Sequence, residues 1–93
     1  MKIERQSRGA TTIIRLIGRI RAEHLPEIAK QAATAEPSIF DLSEVTIVDA
    51  DVIRFLNATE LEGTHFVGCP AYIREWIQRE RTQGAVGTES NKE

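Results

Sequence analysis

Two kinds of hydrophobic periodicity alternate along this chain, and their order is the feature that most constrains its fold. Residues 11–17 form a β-branched, apolar run that ends at Gly18, and a shorter alternating stretch, residues 3–6, precedes it. From residue 22 to residue 34 the apolar side chains recur at helical spacing, with Pro26 in the first turn. Two opening strands and an amphipathic helix are therefore predicted.

The alternation continues after Pro37. Residues 38–42 form an apolar run of strand length, and a second apolar run, residues 45–48, leads into an acidic segment. A helix is predicted from there to Gly63, then a strand over residues 64–68 and a last helix beginning at Cys69 and Pro70. The side chains predicted to be buried on these two helices are Val52, Ile53, Phe55, Leu56, Leu61, Tyr72, Ile73, Trp76 and Ile77.

The resulting order, β-β-α-β-α-β-α, predicts an α/β fold, namely a single small domain with a mixed β-sheet and helices packed on it. Strands joined by a turn pair antiparallel, and strands joined through helices pair in parallel. The 93 residues leave room for one core, predicted over residues 1–82. Residues 83–93 lack periodicity and are predicted to be a flexible C-terminal tail. Because so small a core is marginal, a homodimer stays open.

Charge and composition narrow the functional class. The net charge of −2 supplies no excess of Lys and Arg to neutralise phosphates, which argues against nucleic-acid binding. No apolar stretch approaches the roughly 20 residues needed to span a bilayer, and the N-terminus lacks the apolar run of a signal peptide. A single cysteine excludes an internal disulfide. A cytoplasmic protein without direct membrane insertion is expected.

Catalytic motifs are sparse. His24 and His65 lie far apart, and neither has a Cys, His or carboxylate at standard zinc-ligand spacing. Cys69 precedes a helix whose N-terminus could lower its thiol pKa, but a small buried apolar residue is the better interpretation because no base accompanies it. No glycine loop for phosphate is present in the sequence. A non-catalytic protein without metal or cofactor is therefore expected.

Acidic residues are concentrated in the segment from Phe40 to Asp51. Residues 43–51 are predicted to form a loop at which Asp41, Asp49 and Asp51 could converge, and such carboxylates could hold a divalent cation for a metal-dependent enzyme. Asp49 and Asp51 also stand where a helix begins, and carboxylates there accept hydrogen bonds from free backbone N–H groups. Helix capping is the favoured interpretation, and the metal enzyme is kept as the weakest alternative.

Residues 3–82 resemble a STAS domain, the module shared by anti-sigma-factor antagonists and the cytoplasmic tails of sulfate transporters. The resemblance is carried by the order of elements and by three pieces of sequence. These pieces are the strand ending in Leu16-Ile17-Gly18, the run Ile39-Phe40-Asp41-Leu42-Ser43, and Val45 leading to Val48-Asp49. It implies a STAS-like mixed sheet and a protein partner.

The phosphorylation site of the family is altered here. In the antagonists, the Asp that opens the helix is followed by two small residues, the second of which accepts phosphate from a partner kinase, and then by Gly. Here the run is Asp49-Ala50-Asp51-Val52-Ile53, so Asp51 occupies the phospho-acceptor position. It carries about half the charge of phosphoserine and cannot be phosphorylated as a hydroxyl. Val52 replaces the Gly and is expected to add bulk where a partner's backbone approaches.

The resemblance implies a non-catalytic protein-binding module in a partner-switching system that regulates transcription, with an anti-sigma or kinase-like partner. Asp51 either mimics the phosphorylated state permanently or marks the loss of the switch. The alternative is a small accessory subunit of a transport ATPase complex. The residues expected to bind the partner are Ser43, Glu44, Thr46, Asp49, Ala50, Asp51, Arg54 and Asn57.

Overall fold

The alternation of strands and helices predicted from the sequence is present in the fold. The computed structural model describes residues 1–33 and 38–92, with side chains for residues 1–33 and 38–82. In chain order the elements are β1 (Lys2–Arg8), β2 (Thr11–Ile20), a 3-10 turn (Ala22–His24), α1 (Leu25–Ala33), β3 (Ser38–Val48), α2 (Ala50–Leu61), β4 (His65–Val67) and α3 (Ala71–Lys92). The α/β class and the order β-β-α-β-α-β-α are confirmed.

The described strands form one mixed sheet in the order β1-β2-β3-β4. β1 and β2 pair antiparallel across a tight turn at which Gly9 has a φ of +60°. β2, β3 and β4 pair in parallel, and a helix makes each connection between them. Because such connections are right-handed and the paired strands are neighbours, α1 and α2 lie on the same face of the sheet.

The hydrophobic core lies between this face and the helices. Ile14 and Leu16 of β2 are fully buried, as is Phe40 of β3, whose ring stacks on that of Phe66 at a centroid distance of 5.8 Å. The helices complete the core with Ile28, Val52, Ile53, Leu56, Ile73 and Ile77. Each such side chain contributes about 1.5–3 kcal/mol by leaving water. This burial fixes which face of the sheet the helices cover.

The other face of the sheet, called the open face below, carries the side chains that alternate with the core residues. The described helices pack on the opposite face, and Ile47 and Val67 on the open face are 53% and 45% exposed. The strand registers assign to the open face Lys2, Glu4 and Gln6 of β1, Ile13, Arg15, Ile17 and Arg19 of β2, Ile39, Asp41, Glu44 and Ile47 of β3, and His65 and Val67 of β4.

β3 differs from the prediction, which divided it into a strand and a loop over residues 43–51. The strand is continuous from Ser38 to Val48, and only then does the chain enter α2. Its pairing with β2 shifts register twice, so β3 gains an extra residue at two points. The buried residues therefore follow a spacing of two, three and three, at Phe40, Leu42, Val45 and Val48. This spacing breaks the period of two that a regular strand shows, which is why the loop prediction was wrong.

Two side chains predicted to be in the core are exposed. Leu61 is 67% exposed because it occupies the last residue of α2, past the turns that pack on the sheet. Tyr72 is 45% exposed, whereas Ile73 and Ile77 of the same helix are fully buried. β4 pairs with only the first half of β3, so the first turn of α3 lies along the second half, and the Tyr72 hydroxyl donates to the Thr46 carbonyl there.

The sequence predicted that the domain ends at residue 82 and that a tail follows, and α3 crosses this boundary. The helix extends to Lys92, beyond Thr82, where the helical pattern of the sequence ends. The side chains of residues 83–92, and residue 93 altogether, lie outside the described residues. The flexible tail over residues 83–93 therefore stays a prediction.

Gly68, between β4 and α3, is required by a close approach to β3. Its φ is +64°, and a Cβ placed on it would lie 2.7 Å from the Cβ of Ser43 and 3.2 Å from the Ser43 Cα. Real Cβ atoms do not approach that closely, so a side chain at this position forces β3 and the connection apart. Gly68 thus holds the second half of β3 against the start of α3.

We expect Gly68→Ala to destabilise the fold more than Gly9→Ala does. Gly9 has nearly the same φ, +60°, but its added Cβ meets nothing within 4 Å. Gly9→Ala should cost about 1–2 kcal/mol of unfolding free energy through backbone strain alone. Gly68→Ala should cost at least about 1 kcal/mol more through the clash. Urea denaturation measures both, and equal losses would contradict the close approach.

Candidate functional site

The candidate docking surface consists of the second half of β3 and the first turns of α2. The bulges of β3 place three of the expected partner-binding residues, Ser43, Glu44 and Thr46, at exposed positions while Val45 between them remains buried. β3 then ends, and Asp49 begins α2. The surface is thus a strand and a helix start that are fixed by the core, in place of the predicted loop.

Asp49 has a structural role at this surface. Its Oδ1 accepts the N–H of Val52 at 3.1 Å, which caps α2, and its Oδ2 accepts the N–H of Ala22 at 2.9 Å. These hydrogen bonds, the one from Val52 first, lower the pKa of the Asp49 carboxyl. Asp49 therefore joins the ends of β2 and β3, and both of its carboxylate oxygens are occupied.

Asp51 is different, because it is exposed and, among the side chains that the structure describes, its carboxylate pairs with one that is exposed as well. Its Oδ1 lies 3.0 Å from Nη1 of Arg54, and the two side chains are 60% and 62% exposed. Arg54 also approaches Glu80 of α3 at 3.7 Å. Exposed pairs of this kind contribute about 0–1 kcal/mol to stability. The ion pair between Asp51 and Arg54 can therefore break in favour of charged groups on a partner with little loss of free energy.

Asn57 has an internal partner, although the sequence placed it among the partner-binding residues. Its Oδ1 accepts hydrogen bonds from Nε and Nη2 of Arg81 at 3.0 and 2.8 Å. Glu60, one turn later, accepts from Arg74 at 2.9 Å and from Arg81 at 3.0 Å, and these bonds lower its pKa against the effect of its partial burial. This cluster ties α2 to α3.

The acidic residues of the segment do not converge. Asp41 is turned to the open face, where it accepts from the backbone and hydroxyl of Ser43 at 3.0 and 2.7 Å and from Arg15 at 3.2 Å. Partial burial favours its neutral form, but these hydrogen bonds outweigh it and lower the pKa of Asp41. Within residues 1–33 and 38–82, whose side chains the structure describes, no group of three or more His, Cys, Asp or Glu side chains is placed to hold a metal ion.

Cys69 and the histidines add nothing reactive to this surface. Burial raises the pKa of the Cys69 thiol, which is the opposite of what activates a cysteine. Nδ1 of His24 accepts the N–H of Arg21 at 2.9 Å, within the turn that precedes α1. His65 is exposed on β4. In the described part of the chain, no helix is both long and apolar enough to span a membrane.

Tyr72 borders the candidate docking surface, although it was not among the residues predicted to bind the partner. Its exposed ring borders β3 through the hydrogen bond to Thr46, beside the exposed Ile47. The spacing of Tyr72 with Trp76 predicted that both side chains would be buried. Tyr72 is exposed because β4 is short and leaves the second half of this edge of β3 next to α3.

The role of Asp49 predicts a graded and pH-dependent loss of stability. Asp49→Asn keeps one acceptor oxygen and should lower the urea midpoint less than Asp49→Ala, which keeps none. Because the folded pKa lies below the ordinary value of 3.8, the advantage of the wild type over Asp49→Asn is complete above that pH and disappears as the pH falls through the folded pKa. An advantage that persists in strong acid would contradict these carboxylate hydrogen bonds.

Comparison with known proteins places the chain in no family. No protein-family model matches the sequence, and no curated protein matches it. The likeness to STAS domains therefore depends on the residues quoted above and on the order of elements.

Proposed function

We propose that this chain is a cytoplasmic, non-catalytic STAS-type module that binds a protein partner through the candidate docking surface. The observation that supports it most is the contrast between Asp49 and Asp51. Asp49 is occupied by backbone hydrogen bonds, whereas Asp51, at the position where the resembling antagonists carry their phosphate acceptor, is exposed and supports little of the fold. An exposed charge without a structural role, at a fixed place, suits recognition.

The position of Asp51 also suits a negatively charged side chain. It lies in the first turn of α2, at the positive end of the helix dipole. Its single charge is roughly half that of a phosphoserine. A partner that recognises the phosphorylated form of a related antagonist would meet part of that charge here at all times. If regulation has been lost instead, the same surface would bind without a switch.

Val52 does not obstruct such a partner. The sequence suggested that its side chain would project where a partner's backbone approaches, but the residue is only 1% exposed and belongs to the core. Replacement of the family's glycine by valine therefore adds volume inside the domain. The outer face of the first turn of α2 presents Asp51 and Arg54.

Affinity capture with three immobilised proteins tests the docking surface. Wild type and Glu75→Arg should retain the same partner, and Asp51→Arg should retain at least about tenfold less, because reversal of a rim charge juxtaposes like charges. Glu75 is a matched control because it too forms an exposed ion pair on a helix, with Arg79 at 3.4 Å. Asp51→Arg places a positive charge at the start of α2 and beside Arg54, so its urea midpoint should fall slightly, and circular dichroism verifies that all three proteins are folded during capture.

The identity of the retained protein, read by mass spectrometry, separates the two kinds of partner. An anti-sigma or kinase-like protein that is lost with Asp51→Arg supports partner switching. A transport ATPase subunit lost in the same way supports the accessory-subunit alternative. Equal retention of the same protein by all three variants would contradict the assignment of Asp51 to the docking surface.

A further inference from the structure

The open face belongs to a sheet in which three of the four strands pair in parallel, namely β2, β3 and β4. Sheets built of parallel strands alone are nearly always covered on both faces. Here the described helices cover one face only. On the other, Ile47 and Val67 are exposed, while Ile13, Ile17 and Ile39 are half-buried among charged neighbours. A sheet with this pairing and these side chains has the surface of an interface.

The charges of the open face are sorted by sign on the two central strands, whereas β1 carries Lys2 and Glu4, which pair with each other at 3.5 Å. β2 contributes Arg15 and Arg19, and β3 contributes Asp41 and Glu44. Arg15 is already paired within the chain, with Asp41 at 3.2 Å and with Glu4 at 3.8 Å. Arg19 and Glu44 are exposed, and in the described part of the chain neither has an ion-pair partner within 4 Å. Two charges of opposite sign are thus left on neighbouring strands.

We propose that the open face is the contact between two copies of this chain, related by a two-fold axis that runs parallel to the strands above the boundary of β2 and β3. Such an axis lays β2 of each copy over β3 of the other, so Arg19 faces Glu44 of the second copy twice. An axis perpendicular to the strands would instead place β2 on β2 and its arginines against each other. The sorting of charge by strand therefore selects both the occupant and its orientation.

The geometry of the sheet allows this pairing. Glu44 lies opposite Ile17 in the register, two residues before Arg19, and this offset is about 7 Å along the strand. An extended arginine side chain spans such a distance. In the same arrangement Ile13 of one copy lies over Ile39 of the other, and the aliphatic part of Arg19 covers the exposed Ile47, so apolar surface of the two central strands leaves water. Sheets that pack face to face are separated by about 10 Å, which these side chains fill.

Charge reversal tests the contact, because only an interface between two copies predicts that two variants with complementary charges restore dimerisation when they are mixed. Wild type should dimerise with rising concentration in sedimentation velocity, from low to several hundred micromolar. Arg19→Glu alone, or Glu44→Arg alone, should weaken dimerisation at least about tenfold, because each puts like charges together at two sites. An equimolar mixture of the two single variants should recover the wild-type dimer, since each then offers what the other lacks.

Two variants in α3 serve as controls. Arg79→Glu and Glu75→Arg reverse charges on an exposed helix pair away from the sheet and should dimerise as the wild type does. Circular dichroism and urea midpoints verify that each variant is folded. A wild type that stays monomeric at every concentration overturns the proposal, as do single variants that dimerise normally. A mixture that remains monomeric while the wild type dimerises overturns the Arg19 to Glu44 pairing.

Discussion

The second half of β3 is the constraint on which the rest of the structure depends. Its inward side chains belong to the core, and its two bulges turn Ser43, Glu44 and Thr46 to solvent while Val45 stays buried. Gly68 on the connection after β4 is held against it at a distance that excludes a side chain, and Tyr72 of α3 bonds to its backbone. One strand therefore couples the packing of the helices to the placement of the exposed polar groups.

This coupling divides the acidic residues by role. Asp49 is joined to two backbone N–H groups and stabilises the junction of β2, β3 and α2, whereas the carboxylate of Asp51, two residues later, pairs with the solvent-exposed Arg54. A second group of polar side chains also has a structural role, because its hydrogen bonds and ion pairs hold α2 on α3: Asn57, Glu60, Arg74 and Arg81. Some polar groups of this surface are thus fixed, and others can exchange their partners. Recognition of another protein needs this combination and does not need a catalytic site.

The two proposed interfaces share one residue and otherwise use different parts of the molecule. Glu44 belongs to both the candidate docking surface and the open face, while Asp51 and Arg54 lie on α2, beyond the carboxyl end of β3. A second copy on the open face would leave the start of α2 accessible. Each dimer would then present two docking surfaces, and binding to a partner with two sites would gain from their linkage.

Sequence periodicity predicted the type and order of the elements because the core residues of β2, α1 and α2 follow regular spacing of two or of three and four. It failed at β3, where the bulges give successive spacings of two, three and three, which match neither the alternation of a strand nor the three-and-four pattern of an α-helix. It also failed at Tyr72, whose exposure depends on the length of β4, and it gave no sign of the hydrogen bonds from Arg81 to Asn57, because the two residues are distant in sequence. The open face could not be assigned from the sequence, because helices packed on both sides produce the same apolar runs.

The most direct test of this account is whether residues 43–48 form a strand in solution, which amide NMR can measure. We expect nuclear Overhauser contacts between β2 and β3 at the pairs Gly18 with Val45 and Arg19 with Ile47, together with slow hydrogen exchange over the paired residues. Loop-like chemical shifts and fast exchange across residues 43–48 would contradict the account, because both the docking surface and the open face need this strand.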